Sequence, residues 1–223
     1  MRTAAAILRK DLLIERRTLE TLPGMALLSV MTFVIFHFGL GQDSLSGQLA
    51  AGVLTVTLLF AAMLAVNRLF VAEREQGGFD AFLLAPVDRT AMFTAKATAL
   101  FLFMVALELI AVPAFALLLA PPGLGRSLPA FLLMLVLADG AFAVIGTFVS
   151  AIAVHTRARD LIGPVIGLPL LLPALIATAS GIGPLLTLRA SGSPEPKWLA
   201  VLALYDLFTA LLAIGLFDYL LEE

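Results

Sequence analysis

The sequence predicts an all-α membrane protein, a single domain over residues 1–223 with six transmembrane helices. Three observations lead there. Of the 223 residues, 61% are hydrophobic and only 13% charged, whereas a soluble domain runs nearer half apolar and a quarter charged. A globule of this size leaves too much surface facing water to hide so many apolar side chains. The apolar residues gather in six runs, each about the ~20 residues that a helix needs to cross a bilayer core. Lysine and arginine then divide unevenly between the connecting segments, as orientation in a membrane requires. Helix is the expected state, because a backbone in lipid has no water to bond to.

The first element, residues 1–22, is basic and precedes the first apolar run. A signal peptide is opposed by its long polar part, by the lack of an A-x-A-like site after the next segment, and by the further spans. It is read as retained. Ala4, Ala5, Leu8, Leu12 and Leu19 recur near helical spacing among arginines and acids, which predicts a helix lying in the inner headgroup layer.

The spans follow at about 23–40, 48–72, 91–120, 128–154, 161–180 and 198–221. The polar or turn-rich stretches "GQDSLSG", "EREQGGFDAFLLAPVDR", "PPGLGRS", "HTRARD" and "RASGSPEPK" separate them, and no internal repeat is visible. The fifth apolar run reaches Leu188 and holds Pro164, Pro169, Pro173 and Pro184. It is longer than one crossing needs. The expectation is a kinked helix followed by a short re-entrant or interfacial element before Trp198.

Eleven of the fourteen lysines and arginines fall on one side of this layout. They lie in the N-terminal segment, in the loop after the second span with its flanks, and in "HTRARD". Only Arg126, Arg189 and Lys197 lie on the other. The positive-inside rule therefore places both termini and the second loop in the cytoplasm.

Several chemistries are excluded. A net charge of −2 gives no basis for nucleic-acid binding. There are no cysteines and two histidines, so disulfides, thiolate metal sites and ordinary zinc or iron cages have no ligands within this chain. No G-x-x-x-x-G-K-[ST] phosphate loop, His-Glu-x-x-His pair or G-x-S-x-G elbow is present. No catalytic residue is assigned, and energy from a nucleotide would require another chain.

Polar residues within spans are the remaining candidates. Glu108, Asp139 and Asp206 stand inside apolar runs, where a carboxylate costs about 2.5–3.5 kcal/mol and normally faces protein, water or a partner. They mark either a proton or substrate path or a hydrogen-bonded helix contact. His37 and His155 are open to ligand, pH-sensing or interfacial anchoring roles. Gly163-x-x-x-Gly167 has the small-residue spacing of helix contacts.

The loop after the second span carries the densest charge. Gly77-Gly78 frees the backbone, Phe79, Phe82 and Leu83 share one helical face, and Pro86 ends that helix within two turns. Such a helix is too short to stand alone, so it needs either the bilayer surface or a groove on a partner.

The run Glu73-Arg74-Glu75-x-Gly77, Leu83-Leu84-x-Pro86-Val87-x-Arg89 and Lys96 resembles the coupling region of type-2 ABC exporter permeases. Within these the chain is most similar to the haem exporter protein B family. The triplet Arg68-Leu69-Phe70 matches that family's, and Phe70, Glu73, Gly77 and Phe79 hold its F-x-x-D-x-x-x-G-x-L pattern, with glutamate for aspartate and phenylalanine for leucine. The resemblance implies a six-span permease fold with an interfacial elbow helix at residues 1–22, a cytoplasmic coupling helix between spans two and three, and a re-entrant element before span six. It implies coupling to a separate cytoplasmic ATPase, which binds the ATP, through Arg68, Phe70, Glu73, Arg74, Glu75, Gly77, Phe79, Phe82, Leu83, Pro86 and Arg89. It further implies a second permease copy, a haem-handling membrane subunit and a periplasmic haem chaperone, in the bacterial inner membrane. Haem would be cargo or sit on a partner, and no cofactor would belong to this chain alone. Two other readings stay open: a type-2 permease for a drug, lipid or glycan, and an ion-coupled secondary transporter using Glu108 and Asp139.

Overall fold

The structure, a computed structural model, describes residues 2–69, 89–154 and 163–220. Within them the chain forms seven α-helices: α1 (Arg2–Thr18), α2 (Thr21–Leu40), α3 (Gly47–Arg68), α4 (Arg89–Leu119), α5 (Leu124–Val154), α6 (Leu168–Ile182) and α7 (Pro196–Leu220). A π-helical turn at Gly163–Gly167 leads into α6, and a 3-10 turn at Gly183–Leu186 follows it. Six segments are long and apolar enough to cross a membrane: α2, α3, α4, α5, α7, and α6 with its flanking turns over Val165–Leu186. An all-α, six-span bundle is the fold.

Four buried hydroxyls inside the spans are satisfied locally. Ser29, Thr55, Thr57 and Thr178 are buried, and each donates to the carbonyl four residues earlier at 2.7–2.9 Å. This keeps polar atoms bonded where no water is at hand.

Helix α3 is the centre of the bundle. It packs against α2, α4, α5 and α6, and twelve of its residues are buried. Its small side chains Ala50, Ala51, Ala61, Ala62 and Ala65 are almost fully covered, which lets neighbouring backbones come close. Helices α2 and α7 flank the bundle and leave Ile35, Phe38, Leu204 and Leu211 exposed, as a lipid-facing surface should. Phe33, Phe115 and Phe131 join α2, α4 and α5, with ring centroids 5.6 and 6.2 Å apart.

Helix α5 begins at Leu124, ahead of the expected start at 128. The sequence "PPGLGRS" contains several turn residues, and of these Gly123, at φ +91°, is the one that leads straight into α5. Arg126 and Ser127 already donate back to its carbonyl at 3.1 and 3.0 Å. A Cβ at Gly123 would lie 2.2 Å from the Thr187 carbonyl oxygen, so only glycine fits this corner. Helix α6 continues through Ile182 with Pro173 inside it. Between Leu186 and Pro196 the chain makes turns and bends, with no further helix.

Helix α1 packs on α4. Its inward face is Ala4, Ile7, Leu8 and Leu12 together with Glu15, a stripe at i, i+3, i+4, i+8 and i+11. Of the residues expected on the apolar stripe, Ala5 is exposed. Leu19 lies past the helix end, 60% exposed at φ +49°.

Candidate functional site

Two groups of polar side chains stand out among the described residues. The first surrounds the root of the second loop. Helix α3 ends at Arg68 with Leu69 as its cap, and α4 starts at Arg89. Of the residues expected to couple this chain to a partner, Phe70, Glu73, Arg74, Glu75, Gly77, Phe79, Phe82, Leu83 and Pro86 lie outside the described residues, as does His155. Arg68 and Arg89 mark the two roots.

The last carbonyls of a helix lack the usual intrahelical donors, and here side chains of other elements reach two of them, one of which, on Val66, also accepts from the Leu69 amide at 3.2 Å. The Val66 carbonyl accepts from Ser150 Oγ on α5 at 2.9 Å. The Leu69 carbonyl accepts from Lys96 Nζ on α4 at 3.0 Å. A cation at a helix C-terminus also meets the negative end of the helix dipole. Lys96 is only 2% exposed, and its ammonium lies 3.0 Å from Asp11 Oδ2 on α1. Lys10 Nζ sits 3.4 Å from the other Asp11 oxygen. Removing one partner of a buried pair strands the other charge and costs about 3–5 kcal/mol.

Two more ties join the same region. Buried Glu15 on α1 accepts from the Thr21 and Leu22 amides through Oε1, at 2.9 and 2.7 Å. A carboxylate thereby meets two of the orphan donors at the start of α2. Arg68 reaches Glu20 at 3.0 Å, but that pair is exposed, where such a bridge contributes about 0–1 kcal/mol. Asp11, Glu15 and Glu20 were not singled out from the sequence. Their only signal is that Asp11 and Glu15 fall on the face that carries Ala4, Ile7, Leu8 and Leu12.

The second group is the three intramembrane acids, on three different helices: Glu108 on α4, Asp139 on α5 and Asp206 on α7. Glu108 and Asp139 interact across the α4–α5 interface. Asp139 is fully buried and Glu108 is 7% exposed. Among the described residues no N–H or O–H donor reaches Glu108 Oε1 or either Asp139 oxygen. Asp206 rests against the backbone of Gly140, where a Cβ would come within 2.9 Å of its Oδ2. The glycine beside Asp139 thus lets the third acid approach.

His37 closes the last turn of α2 against Phe38, with ring centroids 4.9 Å apart, and its buried Nδ1 has no partner among the described residues. Gly167 lies beside Met63 and Val149, at the contact of the π-helical turn with α3 and α5. Among the described residues no three His, Asp or Glu side chains converge as a metal site.

Comparison with known proteins takes in most of the chain. Residues 2–217 match the family described as CcmB protein. The chain is 34% identical over 152 residues to heme exporter protein B of Rhodobacter capsulatus, covering 67% of each protein. It is 32% identical over 193 residues to heme exporter protein B of Paracoccus denitrificans, covering 85% of each. With heme exporter protein B of Bradyrhizobium diazoefficiens it shares 30% over 181 residues, 79% of each.

Proposed function

The chain belongs to the CcmB protein family, and on that premise we propose that it is the permease subunit of an ABC transporter for cytochrome c maturation. The observation that carries this is the family match over residues 2–217, which takes in every candidate span. In this reading the complex exports haem, or uses ATP to release haem-loaded periplasmic chaperone from a haem-handling membrane subunit. The chain lies in the bacterial inner membrane with both termini and the second loop in the cytoplasm, as the eleven-to-three division of cationic residues supports. Its α1 is the interfacial elbow helix.

A transport complex driven by ATP needs a phosphate-binding loop, and this sequence has none. The nucleotide therefore belongs to a separate cytoplasmic ATPase. That subunit docks on residues 70–88 through the apolar face of Phe79, Phe82 and Leu83, with Glu73, Arg74 and Glu75 setting its register. Two permease copies complete the membrane part.

The test is deletion and recovery. A strain lacking this chain should lose its c-type cytochromes and regain them with the wild-type gene. Gentle purification should recover an ATPase with it, and Leu83→Asp should release that ATPase. Normal cytochromes in the deletion strain, or purification without an ATPase, would overturn the reading.

The Glu108–Asp139 pair supports a second reading, ion-coupled transport without ATP. It predicts that neutralising both acids abolishes activity while Leu83→Asp does not.

A further inference from the structure

The second loop hangs between two helix ends; Lys96 belongs to the helix that starts at one and bonds the other. It is two turns into α4, past one root at Arg89, and its ammonium bonds the Leu69 carbonyl at the other root, 3.0 Å away. The same ammonium lies 3.0 Å from Asp11 on α1. Three chain segments that are distant in sequence thus meet on one buried cation.

We infer that Lys96 is a positioning residue that clamps α1 to both roots of the loop, so that these three segments move as one body. The inference rests on the functional reading above only for what the loop binds.

The chemistry of the position argues for a role beyond filling space. Met92, Phe93 and Ala95, close to Lys96 in the chain, and Leu69, which it bonds, are all buried. Desolvating an ammonium here is costly, and an apolar side chain of similar volume would fill the same space more cheaply. What the apolar side chain lacks is the ability to serve two polar partners at once. The ammonium donates a hydrogen bond to the carbonyl at the end of α3 and attracts the carboxylate on α1 as an ion pair. A shift of either partner breaks a polar contact made in a buried place.

The other ties extend the body. The Glu15 carboxylate binds α1 to the first amides of α2, and Ser150 binds the end of α3 to α5. A displacement delivered to the loop is therefore passed to α1, to the start of α2 and to the end of α5. Through the Glu20–Arg68 contact alone it would be lost, since that pair is exposed.

The chain has no cysteine, so paired thiol labels can be placed without background. Spin labels at Leu13→Cys on α1 and Thr94→Cys on α4, both exposed positions, read the clamp directly. In the purified complex the label separation should be the same without nucleotide and with trapped ATP. Lys96→Met should broaden the distance distribution, in the complex and in the chain alone. In cells, Lys96→Met should leave the complex assembled and ATP hydrolysis within about two-fold of wild type, yet lower c-type cytochrome yield at least ten-fold. Lys96→Arg should restore most of that yield, because it keeps a cation with several donors.

A wild-type label separation that changes with nucleotide would overturn the inference. So would full cytochrome yield in Lys96→Met, or Lys96→Arg behaving no better than Lys96→Met. If Lys96→Met fails to assemble, Asp11→Asn decides by the same measurements, since it removes one partner's charge and leaves the Leu69 bond. If wild-type cells make cytochromes without this chain, the functional reading falls instead, and the label measurement on the chain alone still tests the clamp.

Discussion

Replacing Glu15 with alanine is expected to lower the thermal midpoint of the detergent-solubilised protein by about 6–12 °C. The magnitude follows from what its carboxylate does. Oε1 accepts from two amides, Thr21 at 2.9 Å and Leu22 at 2.7 Å, and the residue is only 6% exposed. Alanine leaves both N–H groups without that acceptor, at about 1–3 kcal/mol for each group that stays dry. Leu22 is half-buried, so water relieves part of its share. The negative charge also faces the positive end of the α2 dipole, worth about 0.3–1 kcal/mol. Together these come to about 3 kcal/mol, and a chain of this length shifts by about 2–4 °C per kcal/mol. Glu15→Gln keeps an acceptor and loses only the charge, so it should recover more than half of the loss. The single tryptophan of the chain stands at the start of α7, far along the sequence from the substitution, and its fluorescence on heating reports unfolding of the bundle. A Glu15→Ala midpoint within about 1 °C of wild type would refute the reasoning, as would Glu15→Gln falling as far as alanine.

Three further outcomes are expected. Gly123→Ala should destabilise the protein by about 1–3 kcal/mol from backbone strain, with the contact to the Thr187 carbonyl added, and a heating scan matching wild type would show that the turn is not as tight as drawn. Glu108→Gln with Asp139→Asn should preserve cytochrome yield within about two-fold, because amides keep the shape and can hydrogen-bond to each other; complete loss would favour the ion-coupled reading. Single cysteines in this cysteine-free chain should react with a membrane-impermeant thiol reagent in intact spheroplasts at Ser191 and not at Arg9, and the reverse pattern would invert the proposed orientation.

The spans were legible in the sequence because their signal is local: a run of about twenty apolar residues with few charges needs no knowledge of its neighbours. The early start of α5 was not, since "PPGLGRS" offers several turn residues and only the packing of Gly123 against Thr187 shows which one turns the chain. The three acids were visible as misplaced charge within apolar runs. That Glu108 meets Asp139 was invisible, because 31 residues and the register of two helices separate them. The loop-root contacts show the limit most clearly. Asp11 and Glu15 read as ordinary charges on a basic amphipathic tail, and Lys96 as a cation that orients a span. Their burial depends on α1 folding back onto α4, which no local pattern states. The resemblance carried by residues 68–96 supplied a docking role for the loop, and the residues that hold its roots had to come from the structure.

The distribution of the bonds matters for mechanism. In the middle of the bundle α3 is held by close contact of alanines and leucines, which resists separation but has no preferred direction. At its C-terminal end the buried side-chain bonds reaching it from other elements are directional: Ser150 to Val66 and Lys96 to Leu69. Apolar packing permits one helix to slide or rotate against another at little cost so long as contact is kept. A bonded carbonyl does not, because a shift of an ångström or two breaks it. In the proposed complex a force applied at the loop would meet directional bonds at the root and apolar packing deeper in the bundle. The root would then move as a piece, and the change of shape would fall further in, along α3 and its neighbours, where α4 and α5 carry Glu108 and Asp139.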